Sequence, residues 1–193
     1  MRKPAKFVVR PVTRQRWRDL EKLFGERGAC AGCWCMYWRV QHATWEKQKG
    51  AGNKRGTKNL VARGAEPGLL AYAGREPVGW ISLGPREQFV RLANSRVLVP
   101  VDKRPVWSVV CFFIARQHRK SGVSAKLLEA AVDFARKRGA KVVEGYPVDP
   151  RKGNFPPAFA WTGFPGTFVK KGFKEVERRS PTRPVMRKAV SRR

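Results

Sequence analysis

The stretch that decides the fold is Arg119-Lys120-Ser121-Gly122-Val123-Ser124. Before it runs an apolar, β-rich segment, Trp107-Ser108-Val109-Val110-Cys111-Phe112-Phe113-Ile114-Ala115. After it, Val123, Leu127, Leu128, Ala131, Val132 and Ala135 recur at helical spacing, and Gly139 supplies a stop. A strand therefore passes through a short basic loop into a helix. The first N–H groups of a helix have no intrahelical partner, and the macrodipole favours negative charge there. Gly122 lets an anion come close to the backbone. The pattern predicts a pyrophosphate cradle, although neither G-x-x-x-x-G-K-[ST] nor G-x-G-x-x-G is present.

The chain has 193 residues, enough for one domain with a proper core, and we read residues 1–193 as that domain with a basic tail at 191–193. A hydrophobic content of 42% with 7 Trp and 11 Phe excludes a disordered chain. Lys and Arg number 42 against 14 Asp and Glu, a net charge of +28. Such a balance attracts polyanions, nucleic acid among them, but reports attraction and not specificity. The N-terminus lacks the long apolar core of a signal peptide, and no stretch approaches the length of a membrane span. Four cysteines, three of them crowded at Cys30, Cys33 and Cys35, make no secreted disulfide framework. A cytoplasmic location follows as the expectation.

Working outward, Lys6 to Val12 reads as a strand, and Thr13 as the cap of a helix with Trp17, Leu20, Leu23 and Phe24 on one face. A basic helical stretch runs from about Thr44 to Arg63. Gly68 to Ala73 and Pro77 to Leu83 form a hairpin turned at Gly74-Arg75-Glu76. A short helix over Glu87 to Ser95 precedes the central strand. Lys141 to Pro147 is a further strand, Arg151 to Pro157 a loop, and Pro165 to Lys171 a short helix. Phe173 to Arg178 and Pro184 to Val190 close the chain as strands.

This order, with Arg119-x-x-Gly122-x-Ser124 at its centre, resembles the GNAT N-acetyltransferase superfamily, whose coenzyme A loop reads Gln/Arg-x-x-Gly-x-Gly/Ala. Phe168-Val169-Lys170-Lys171-Gly172-Phe173 is similar to the family's late Tyr-x-x-x-Gly-Phe element. Gly32-Cys33-Trp34-Cys35-Met36, Gly79-Trp80-Ile81-Ser82, Pro105-Val106-Trp107-Ser108 and Glu144-Gly145-Tyr146-Pro147-Val148 resemble the hallmarks of one of its subgroups. The resemblance covers nearly the whole chain. It implies an α/β acyl-CoA N-acyltransferase fold, a mixed and mostly antiparallel sheet with a splayed strand pair, flanked by helices.

The resemblance also implies direct transfer of acetyl from acetyl-CoA to an amine, with coenzyme A as product. Backbone groups of Phe112, Phe113 and Ile114 would lie against the pantetheine arm. Arg119, Lys120, Ser121, Gly122, Val123 and Ser124 would take the pyrophosphate. Attack requires a neutral amine, hence a base or a water chain. The family tyrosine that protonates the leaving thiolate corresponds here to Phe168, which has no proton to give. Glu144 is the candidate base, and Tyr146, on the same strand face, the candidate acid.

Trp34, Met36, Trp38 and Arg39 fall where the fold class walls the acceptor pocket. They offer an aromatic floor and a charged handle. Cys30, Cys33, Cys35 and His42 have poor spacing for zinc, so no metal site is expected. Net positive charge disfavours polycationic acceptors and favours neutral or anionic ones, such as amino-acid-like amines or a protein terminus, so the acceptor is a small molecule or a protein. The late strands often mediate dimers in the family, which leaves a homodimer as one option and the oligomeric state open. The competing reading is a nucleic-acid or ribosome-associated binding module on the same fold without efficient catalysis. No RNP, KH or helix-turn-helix pattern supports it.

Overall fold

A computed structural model describes residues 7–150 and 159–190. Its centre is one seven-stranded sheet in the order β1-β2-β3-β4-β5-β7-β6. The strands are β1 (Phe7–Pro11), β2 (Gly68–Ala73), β3 (Glu76–Pro85), β4 (Trp107–Ile114), β5 (Val142–Gly145), β6 (Lys174–Arg178) and β7 (Pro184–Ala189). Every neighbouring pair is antiparallel except β4 with β5. The helices are α1 (Trp17–Phe24), α2 (His42–Lys47), α3 (Ala51–Ala62), α4 (Val90–Ala93), α5 (Val123–Lys137) and α6 (Pro165–Lys170).

Gly68 to Tyr72 is buried at every position, because β2 is covered on both faces. Leu69 and Ala71 pack with Leu127, Leu128 and Ala131 of α5. Leu70 and Tyr72 pack with Trp17, Leu20 and Phe24 of α1. The hydrophobic stripe of α5 read from the sequence is the stripe that covers the sheet.

Several boundaries differ from the sequence reading for local reasons. Thr13 makes no side-chain cap, since a 3-10 turn over Arg14–Arg16 comes between it and α1. The basic helical stretch is two helices, parted near Gly50, which sits at φ 77°. The helix expected over Glu87 to Ser95 is a 3-10 turn, Arg86–Gln88, followed by the single turn of α4. The loop expected at Arg151 to Pro157 lies outside the described residues.

Candidate functional site

A loop joins β4 to α5 where the sequence put it. Gly122 has φ 88° and ψ 0°, and no side chain caps α5. That left-handed conformation suits glycine, and a Cβ at Gly122 would meet no atom within 4 Å. Lys120 also has positive φ, 62°. Ser121 Oγ donates to the carbonyl of His118 at 2.6 Å, and Arg119 Nε to that of Ile114 at 3.3 Å. Val123 fixes the helix start against β3, where a Cβ on Gly79 would come within 2.6 Å of it. Arg119, Lys120, Ser121 and Gly122 are exposed, and Ser124 is half-buried. A free helix start, open space and two loop cations are features that suit an anion.

Beside this loop the sheet forks. β4 and β5 pair only through Trp107–Val143, Ser108–Glu144 and Val109–Gly145. The register between β3 and β4 shifts at the same level, with Ser82 opposite Cys111 and Leu83 opposite Val109. Val110 is therefore an extra residue, a β-bulge. It turns Val110 and Cys111 to the same face, beside Phe89, Leu92 and Tyr146. Phe112 and Ile114 then face α5, and Phe113 packs edge-on against Phe24 with centroids 5.6 Å apart.

The fork is bridged by the chain itself. The N–H of Phe112 donates to the carbonyl of Trp161 at 2.6 Å, and that of Val148 to Gly163 at 2.9 Å. Thr162 between them is buried, and its hydroxyl accepts from Arg183 Nη1 at 3.0 Å. Residues 161–163 thus lie along β4 as a strap.

Below the fork, Glu144 and Tyr146 are brought together in a buried ion-pair net. Glu144 is 1% exposed. Its Oε1 accepts from Arg86 at 3.0 Å and from the Tyr146 hydroxyl at 2.5 Å. Its Oε2 accepts from Arg187 Nε at 2.5 Å, and Arg187 also pairs with Asp102 at 2.7 Å. Ser108 Oγ is 2.8 Å from the Tyr146 hydroxyl. Burial, then the neighbouring Glu144 charge, pushes the Tyr146 phenol well above its usual range. Hydrogen bonds from Arg104 and Arg187 hold Asp102 well below the usual carboxylate range. The partners Arg86, Arg187, Asp102 and Ser108 have no local sequence signal, since they converge from distant elements.

The four residues expected to wall the acceptor pocket are dispersed. Trp34 is a core residue, stacked on Trp17 at 6.0 Å and edge-on to Phe24. Met36 and Arg39 line a cavity of about 670 Å³ with Leu83, Trp107 and Phe134, at the end of β4 away from the loop at Gly122. Burial lowers Arg39 to about 10, and its guanidinium donates to the carbonyls of Pro67 and Leu83. Trp38 alone stands at the fork, where its Nε1 donates to the carbonyl of Val110 at 3.1 Å.

Around Trp38 the structure assembles a group that the sequence did not announce. Tyr37 meets Trp38, Trp45 and Trp161 edge-on, at 5.1, 5.3 and 5.1 Å. Arg91 lies over the Tyr37 ring at 3.7 Å and its Nη2 donates to the hydroxyl at 2.9 Å. Cys35 and Cys111 bring their sulfurs within 3.7 Å, and Trp80 Nε1 donates to Cys35 at 2.9 Å. Among the described residues no group of three or more His, Cys, Asp or Glu side chains is placed to hold a metal ion. None of their helices is long and apolar enough to cross a membrane.

A model of the acetyltransferase (GNAT) family matches residues 21–151. No curated relative matches the sequence. Among solved structures, the PaiA N-acetyltransferase of Thermoplasma acidophilum, in complex with coenzyme A, is 14% identical with a TM-score of 0.54. The match covers 96% of this chain and 99% of that one. A GNAT-family acetyltransferase of Streptococcus pneumoniae is 12% identical with a TM-score of 0.57, covering 96% and 100%. One from Listeria monocytogenes is 8% identical with a TM-score of 0.57, covering 95% of each chain. At these identities the likeness is one of fold.

Proposed function

Because the chain belongs to the GNAT acetyltransferase family, we propose that it is an N-acetyltransferase that takes acetyl-CoA and an amine acceptor. The observation that carries this reading is the fork between β4 and β5 opening beside the uncapped start of α5. Acetyl-CoA supplies an activated acyl carbon, which the amine attacks as the thiolate leaves. Arg119, Lys120, Ser121, Gly122, Val123 and Ser124 receive the pyrophosphate through backbone N–H groups and charge. Phe112, Phe113 and Ile114 offer the strand edge along which the pantetheine arm pairs. The Phe112 N–H is the donor best placed for the thioester oxygen once the Trp161 carbonyl gives it up.

Glu144 and Tyr146 enter this reading as positioning residues. Both oxygens of Glu144 are engaged by guanidinium groups, and the Tyr146 phenol holds its proton tightly. Together they tie β4 to β5 at the closed end of the fork. Phe168 is fully buried between Phe112 and Phe173, so that position contributes shape and not a proton. The thiolate then leaves without a protein acid at this position.

Calorimetric titration of nucleic-acid-free protein with acetyl-CoA tests the proposal. One-to-one binding, weakened by Gly122→Glu, supports it; no binding at millimolar ligand by folded protein overturns it.

A second reading has its own observation. Arg18 and Lys22 of α1 and Arg55 and Lys58 of α3 are exposed and make no ion pair among the described residues. Such a face suits docking on a phosphate backbone, either by an acetyltransferase held on an anionic assembly or by a binding module alone. Salt-dependent RNA retention that is lost when these four cations are neutralised would support docking.

A further inference from the structure

Two arginines stand on either side of the Tyr37–Trp161 contact without a counter-ion, Arg91 at the Tyr37 hydroxyl and Arg183 at Thr162. Arg91 reaches the Tyr37 hydroxyl with Nη2, while its Nη1 is shut off from water and has no acceptor among the described residues. Arg183 gives Nη1 to Thr162, and its guanidinium makes no other hydrogen bond among the described residues. Burial lowers its pKa. Neither arginine makes an ion pair among the described residues. The remaining residues cannot supply one from a side chain, because 1–6, 151–158 and 191–193 contain no Asp or Glu. A desolvated cation left uncompensated is costly, and a buried donor without an acceptor calls for an absent partner.

Their position says what that partner is. Arg183 holds Thr162, whose neighbour Trp161 leans on Tyr37 and Trp38 and covers the Phe112 N–H. The arginine pair therefore stands one strap residue from the proposed site of acetyl transfer, on the side lined by Trp38 and Tyr37. We propose that Arg91 and Arg183 bind a carboxylate carried by the amine acceptor, so that the substrate class is an amino-acid-like amine. The inference rests on the acetyltransferase reading above. A planar guanidinium fork matches a carboxylate in two bonds, and the aromatic wall of Tyr37, Trp38 and Trp161 suits an apolar body next to it.

The test uses the whole chain and matched pairs of amines: glycine, L-leucine, L-phenylalanine and L-glutamate, each as the free carboxylate and as its α-carboxamide. Aminoethyl phosphate is a further arm. Turnover of acetyl-CoA is followed by thiol release. The carboxamides have the less basic amines, which favours them in the absence of carboxylate recognition.

We expect at least one carboxylate to exceed its amide about tenfold in kcat/KM. Arg183→Gln and Arg91→Lys should each shrink that ratio below about threefold, through KM. A second readout, quenching of tryptophan fluorescence by N-acetyl-L-phenylalanine but not by its amide, reports the same pair without turnover. Amides equal to or better than carboxylates in every pair would overturn the inference. So would a ratio that survives in both variants, or preference for the phosphate arm. Acetyl-CoA binding with no turnover of any arm and no fluorescence response sinks this inference alone. Loss of acetyl-CoA binding itself sinks the acetyltransferase reading.

Discussion

The backbone N–H of Phe112 donates to the carbonyl of Trp161 at 2.6 Å, so the strand edge facing the fork is already hydrogen-bonded. A pantetheine arm seated there, as proposed, has to take the Phe112 N–H from the Trp161 carbonyl. The Trp161 ring holds the strap down through Tyr37 and Trp38, and each such aromatic contact is worth about 0.5–1.5 kcal/mol. Trp161→Ala should therefore tighten acetyl-CoA binding by roughly three- to tenfold in Kd. Calorimetry decides it; unchanged or weaker binding would show that the strap does not compete for the seat.

Gly122 combines open space with a left-handed backbone. Gly122→Ala should lower stability by about 1–2 kcal/mol from strain alone and leave measurable acetyl-CoA affinity. Gly122→Glu adds bulk and a negative charge in the phosphate path and should abolish binding while the circular dichroism spectrum stays that of the folded protein. Equal affinities for the two variants would remove the loop from the coenzyme site.

The ion-pair net around Glu144 predicts a stability effect before a chemical one. Glu144→Gln leaves Arg187, 7% exposed, short of a partner, and should cost about 3–5 kcal/mol in chemical denaturation. Tyr146→Phe should cost about 1–3 kcal/mol and keep kcat within roughly tenfold, with no new limb in the pH profile. A fall of a hundredfold or more with a displaced pH limb would make Tyr146 the acid after all.

Phe168 occupies the position of the family tyrosine with its ring against Gly145, where even a Cβ has no room. Phe168→Tyr pushes a hydroxyl among Phe112, Phe173 and Gly163 and should destabilise by about 1–3 kcal/mol without raising kcat. A melting curve and a turnover assay on the same preparation settle the point. An active, undiminished tyrosine variant would show that a proton donor is wanted there.

Burial raises the Cys33 thiol to about 11, from 9.0 in an exposed group. Between those values the folded state keeps a proton that the unfolded state has lost. Stability from this source is complete below about pH 9 and is lost as pH climbs through 11, on the order of 2 kcal/mol. Urea denaturation from pH 8 to 11 should show the decline, and Cys33→Ala should flatten it. Parallel declines in both proteins would assign it elsewhere.

The strand, loop and helix around Gly122 were legible because each is a local pattern: a β-rich run, a glycine and a 3.6-residue stripe. The fork was legible only through family resemblance, and its filling by Trp161 was not, since a backbone carbonyl carries no residue signature. The acceptor wall was read by position and scattered on folding. Residues 28–35 run through positive φ at Gly28, Ala29, Ala31, Gly32, Trp34 and Cys35. That path sends Trp34 inward and Trp38 to the fork, and four non-glycine residues give no warning of it. Asn53 and Thr57 of α3 hold the segment by bonds to the carbonyls of Gly32 and Trp34. Arg91 and Arg183 were ordinary members of a basic chain until the fold set them on either side of the Tyr37–Trp161 contact.

The surplus of 42 basic over 14 acidic side chains also bears on the proposed amine acceptor. A protonated amine entering this field does work against it, and a neutral one does not. Near Arg91 and Arg183 the ammonium form is penalised, so the acceptor releases its proton at a lower pH than it would in bulk water. The cationic shell thereby does part of what a general base does elsewhere, and water can carry the proton away. An acceptor tethered by its carboxylate would arrive with its nitrogen already inclined to be nucleophilic.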